Sequence, residues 1–184
     1  MNNSWRHLPP PARPIAAATV ASLASFRSAN ASAITSSGAS SEAPSAGDLA
    51  APPAGDLAAS FAGDLAAPFA GDLAAQDPAQ TGLILGTVVR LLLEDGNPDG
   101  LTADDVRAAL ASCVRSWPDA DPQVVLWLLA AALGVLDEEG APAPKPDVLA
   151  AHAVALIDDL LADRPVEPWL TAALAEIERS QLND

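Results

Sequence analysis

Few of the residues from which active sites are usually built occur in this chain: one cysteine, two histidines, no tyrosine, and Lys145 as the one lysine among nine basic residues. A lone Cys113 excludes an intramolecular disulfide framework and any paired Cys/His metal cluster, and leaves the redox compartment open. No phosphate-binding loop, dinucleotide fingerprint or nucleophile elbow occurs. Base is scarce as well. The net charge is −15, with Arg6, Arg13 and Arg27 and no acid in residues 1–41, and six acids with no base in residues 42–80. Such a balance repels phosphate backbones, so no nucleic-acid partner is expected and a basic protein surface would be attracted. Long apolar runs are also missing. The longest, VVLWLLAAALGVL from Val124 to Leu136, spans about 20 Å as a helix, short of the roughly 20 residues that a membrane crossing needs.

What is present is a repeat. AGDLAAPP, AGDLAASF, AGDLAAPF and AGDLAAQD follow one another in unbroken register, with Gly47, Gly55, Gly63 and Gly71 eight residues apart. A period of eight fits neither the helix nor the heptad, and it is too short for a solenoid unit. Residues 42–80 are otherwise Ala, Pro and Ser, too poor in bulky side chains to offset the entropy of ordering the backbone, and they read as a disordered linker. Within it the apolar handles are Leu49, Leu57, Leu65 and Leu73, joined by Phe61 and Phe69, each leucine preceded by Asp48, Asp56, Asp64 or Asp72. Four tethered copies of one weak motif gain avidity toward a multimeric partner by about 10² to 10⁴. Expansion of a repeated stretch of GC-rich DNA into a spacer accounts for the same pattern.

Residues 1–41 are basic, rich in Ser and Ala, and free of acid. On a helix Ile15, Thr19, Leu23 and Phe26 fall near one side with Arg27 beyond, which suits a transit peptide or a short docking helix. Ala29-Asn30-Ala31 and Ala31-Ser32-Ala33 imitate a signal cleavage site, though Arg27 interrupts the apolar stretch before them. Plain disorder accounts for the composition too. The protein is expected to be soluble and cytoplasmic, with organellar targeting or secretion left open.

From residue 81 the pattern turns helical, and residues 81–184 are expected to fold as an acidic all-α bundle of about five helices behind a long repeat-containing tail. The predicted helices are 81–94, a second capped by Thr102 with Asp105 and carrying Val106, Leu110, Cys113 and Trp117, a third from Asp121-Pro122 to Leu136, then 147–163 and 167–182. The third, apolar all round, is expected at the centre of the bundle. The connection from Asp95 to Asp105 resembles the opening of an EF-hand loop. Asp95, Asn97 and Asp99 stand at positions one, three and five with Gly100 at six, although Val106 stands where the closing glutamate belongs and only Asp105, one place early, offers a carboxylate. An Asp/Asn/Gly turn leading into a capped helix explains the same residues, and calcium is the one cofactor they suggest.

His152 lies on an apolar stripe and Cys113 at a core position, which suits packing better than chemistry. Asp158, Asp159 and Asp163 gather near a helix C-terminus, a solvated face or a surface for a basic partner. The expected function is that of a non-enzymatic adaptor or cargo-type protein whose tail repeats dock a partner protein. The alternatives are a calcium-responsive helical protein and a small enzyme with an unrecognised site. Self-association through a surplus apolar stripe stays open.

Overall fold

A computed structural model describes residues 12–37, 71–73, 75–136 and 143–182. Among them the architecture is all-α, with six helices: α1 Ala12–Ser37, α2 Pro78–Gly96, α3 Ala103–Ser116, α4 Pro122–Ala132, α5 Pro146–Leu161 and α6 Glu167–Gln181. The five helices expected beyond residue 81 are α2 to α6, each close to its predicted bounds.

Their ends follow from local chemistry. Asp77 caps α2, accepting from the Gln80 N–H at 2.8 Å, and Asp121 caps α4 by accepting from the Gln123 N–H at 2.8 Å. Each is followed by proline at the first helical position, where no amide donor is needed. The capping box of α3 is complete. Its Thr102 hydroxyl accepts from the Asp105 N–H while the Asp105 carboxylate accepts from the Thr102 N–H. Helix α4 stops at Leu133 because Gly134 takes a left-handed φ of +68°, so the last apolar residues of that run, Val135 and Leu136, leave the helix. Helix α5 ends on Ala162 and Asp163, both left-handed without being glycine.

Two expectations are corrected by the packing. The centre of the bundle is α5, which contacts α1, α2, α3 and α4, rather than the apolar α4. Eight consecutive residues of α5, Ala150 to Ile157, are buried, so this helix has no solvent face over two turns. Alanine at Ala150, Ala151, Ala153 and Ala155 makes that possible, since small side chains let neighbouring helices approach from all sides. Helix α4 instead lies at the edge, with Leu126 43% exposed.

The second correction concerns residues 1–41 as a separate segment and residue 81 as the start of the folded unit. Residues 12–37 form the longest described helix, and its Ile15, Ala16, Thr19, Ser22, Leu23 and Phe26 are buried against α5 and α6. The amphipathic stripe read from the sequence is real; what it covers is the bundle's own core. Arg27 continues the same face and forms an ion pair with Asp158 of α5, so one of the clustered acids already has its base within the chain. Beside it, Ser116 donates to Asp159. Further ties run from Arg90 to Glu94 and Glu176, joining α2 to α6, and from Arg164 to Asp95, with the Arg164 guanidinium 5.2 Å from the Trp169 ring centre. No helix of the described residues is long and apolar enough to cross a membrane.

Candidate docking groove

The fourth repeat enters the fold. Gly71–Leu73 form a helical turn in which Leu73 is 1% exposed and belongs to the core cluster, while Asp72 faces solvent. Two backbone bonds shape the seat: the Ala75 N–H donates to the Gly71 carbonyl at 3.2 Å, and the Gln76 N–H donates to the Leu73 carbonyl at 3.1 Å. One residue further on, Asp77 caps α2, so the last copy is joined directly to the bundle. Asp48, Leu49, Asp56, Leu57, Phe61, Asp64, Leu65 and Phe69 lie outside the described residues.

Leu73 forms part of the wall of a groove of about 260 Å³ between α2, α4 and α5, into which Leu83, Val89, Trp127, Leu128 and Leu149 also face. A second, wider hollow of about 380 Å³ runs on along the α2 and α4 seam toward Arg90 and Gly134, and the two share Gly82, Leu83, Gly86 and Ala131. Leu83, which lines both hollows, is 50% exposed.

Two details of the groove are not explained by the packing of the described chain. Gly82 and Gly86 lie in the interior of α2, where each costs about 1 kcal/mol relative to alanine, yet a methyl group on either would meet nothing within 4 Å. Their effect is to hollow out the helix face that the groove presents. Between them and the helix start, Thr81 is 6% exposed with a hydroxyl that has no hydrogen-bond partner among the described residues, in a lining that is otherwise almost wholly apolar. A buried unpaired hydroxyl costs roughly 1–3 kcal/mol. Glycines at i and i+4 leave room for another backbone to come close.

The other candidate residues are occupied elsewhere. Asp95 pairs with Arg164 at 2.7 Å, the Asn97 amide donates to the Leu93 carbonyl at 2.8 Å as part of the α2 terminus, and Asp105 is held in the α3 capping box. Asp99 is exposed. Among the described residues no three Asp, Glu, His or Cys side chains gather where they could hold a metal ion, and the residues from Asp95 to Asp105 form the turn from α2 into α3.

Cys113 and His152 are both 1% exposed, and neither lines the groove. Burial and the nearby Asp159 carboxylate push the Cys113 thiol up to about 12, which keeps it protonated and inert. His152 is structural. Its Nδ1–H donates to the Val148 carbonyl at 2.8 Å while Nε2 accepts from the Asp121 N–H at 2.9 Å, a pair of contacts that only the neutral ring makes. Burial accordingly lowers its tendency to take a proton, and the backbone carbonyl and Asp121 offset part of that.

Sequence reasoning singled out Leu73 as a docking residue of a disordered linker, whereas the structure buries it in the bundle's core, and it missed the rest of the groove. Its lining comes from three helices, and a glycine in a helical pattern carries no sign of whether space or a neighbour lies beside it. Comparisons of the chain with protein-family models, with curated proteins and with solved structures found no match.

Proposed function

We propose that this protein is a non-enzymatic interaction protein of the adaptor type, whose AGDLAA repeats are docking motifs for a partner protein. The observation that carries this reading is the burial of Leu73. The copy nearest the bundle has its leucine seated against helices, so a Gly-Asp-Leu turn is a pattern that an apolar helical surface accommodates. Leu49, Leu57 and Leu65 sit in the same six residues and offer the same element to a partner with a comparable groove, with avidity from their tethering. The bundle adds an acceptor of its own, the glycine-hollowed groove on α2. None of its described lining residues titrates, which suits recognition of an apolar segment rather than acid, base or nucleophilic chemistry.

The test uses the full chain as bait in extract of the source cell, beside a chain carrying Leu49→Ala, Leu57→Ala and Leu65→Ala. Leu73 is left intact because it belongs to the core. A protein retained by the parent and lost by the triple variant supports the docking role. Equal recovery of every retained protein by both baits overturns it and makes the three copies a spacer.

A further inference from the structure

The groove and the wider hollow adjoin along α2 and α4, and their lining on α2 runs from Pro78 to Arg90. At 1.5 Å per residue that is about 18 Å, the length of roughly three turns of a second helix. Hardly any hydrogen bonding is on offer along it. The Gln76 side chain donates to the Asp72 carbonyl at 3.3 Å, the Thr87 hydroxyl donates to the Leu83 carbonyl at 2.7 Å, Arg90 is paired with Glu94 and Glu176, and the Thr81 hydroxyl is buried. Among the lining side chains this leaves the Trp127 indole N–H as a lone donor, whereas an extended segment would bring one N–H and one C=O per residue into an apolar channel. A helix satisfies those groups within itself, and Gly82 and Gly86 leave room for its backbone.

The charge around the channel selects the kind of helix. Asp72, Asp77 and Asp147, each next in sequence to a lining residue, are exposed, and Glu94 and Glu176 outnumber the Arg90 with which they pair; Lys145 is the remaining base at the rim. Five acids thus stand against two bases, on a chain whose net charge is −15. We propose that the groove between α2, α4 and α5 is the docking site for an amphipathic α-helix of a partner protein, with apolar residues at i, i+3, i+4 and i+7 against Gly82, Leu83, Gly86 and Trp127 and with Lys or Arg on its flanks. A second copy of this chain is a poor occupant, since it brings the same acids to the same rim. An anionic lipid is repelled for the same reason. The proposal rests on reading the groove as an acceptor and is independent of whether the AGDLAA repeats dock.

Fluorescence anisotropy with the full chain tests it. The probe is a labelled synthetic helix of about 18 residues, with leucine on one stripe and lysine elsewhere. Beside it run a scrambled peptide of equal composition, which has no stripe, and a peptide with glutamate in place of lysine. The leucine-striped basic peptide is expected to bind at least about ten-fold tighter than either. G82A/G86A should weaken it about five-fold or more while leaving the chain folded, because both methyls enter open space. D72N/D147N should weaken it about three-fold at roughly 50 mM salt, a difference that fades at roughly 500 mM. Asp77 is kept because it caps α2. Binding that G82A/G86A leaves unchanged is adsorption to the acidic surface and overturns the assignment, as do equal binding of the scrambled peptide and no binding at about 100 µM. Sedimentation showing a dimer that G82A/G86A dissolves puts a second copy in the groove, and peptide binding that emerges only in the L49A/L57A/L65A chain puts the chain's own repeats there; either result overturns a partner helix. Partner recovery by the L49A/L57A/L65A bait enters none of these titrations, so the adaptor reading and this one fail separately.

Discussion

Phe26 of α1 meets Trp117 at the end of α3 edge to face, with ring centres 5.7 Å apart and planes at 89°. The same Trp117 lies 4.8 Å from the His152 ring of α5. Three segments far apart in the chain thus share one aromatic cluster, and α1 is part of the structural unit. Phe26→Ala is expected to cost roughly 3–5 kcal/mol, read by urea unfolding. A chain beginning at residue 71 should be destabilised by more than that, since it loses Ile15 and Leu23 too. Equal stability with and without residues 1–37 would show that α1 contributes nothing to the core.

His152 gives the fold a pH dependence of known sign. Its folded value lies below that of the unfolded chain, near 6.5, so its contribution to stability is complete above that value and is lost as pH falls through the lowered folded value. Urea unfolding between pH 7.5 and 5 should show stability dropping with a slope of at most about 1.4 kcal/mol per pH unit from this one proton. His152→Gln should be less stable at pH 7.5 and have a flatter slope. Parallel slopes for the two chains would remove the histidine as the cause.

Cys113 titrates in the opposite sense. A thiol raised to about 12 in the fold, against 9.0 for the free group, contributes stability that is fully present below pH 9 and is lost as pH rises toward 12. Under native conditions at pH 8 it should react with a thiol reagent at least about 100-fold more slowly than in denaturant, where the thiolate forms and is reachable. Comparable rates would mean that the core around Trp117 opens readily.

Gly82→Ala and Gly86→Ala should each raise stability by about 0.5–1 kcal/mol, because the added methyl meets open space and the helix gains propensity. Both methyls would project toward the groove and make it shallower. A segment that binds there should therefore bind the stabilised double variant several-fold more weakly, which calorimetric titration of an identified partner would read. Thr81→Val is expected to stabilise the free chain by removing an unpaired buried hydroxyl.

Much of the helical framework was legible from residue order. Thr102 with Asp105 and Asp121-Pro122 announce helix starts through bonds made within four residues, and the structure has helices at each; Asp77-Pro78 starts α2 by the same chemistry, inside the stretch that composition reads as linker. The stripes Val106 to Trp117 and Ile15 to Phe26 were equally visible, because a helix converts spacing into a face. Which surface a face covers is a different matter. Composition set residues 12–37 apart from the bundle, since Ala, Ser and Thr resemble a tail in isolation; they are also the residues that let α1 lie close on α5. The apolar run of α4 pointed to the centre, yet the alanines of α5 took it, because closeness of approach on every side depends on side-chain size and not on hydrophobicity.

By itself the sequence determined the helices, their caps, the acidic surface and the fourfold repetition of one leucine motif, all of which depend on interactions between near neighbours. Only the tertiary structure decided that the last of those leucines is a core residue, that two glycines of α2 border open space, that the Asp95 and Asp105 carboxylates pair with Arg164 and with a helix cap, and that His152 and Cys113 are buried. Those outcomes depend on distances between residues tens of positions apart. Such distances are set by how six amphipathic faces bury one another together, a competition that no single stretch of the chain records.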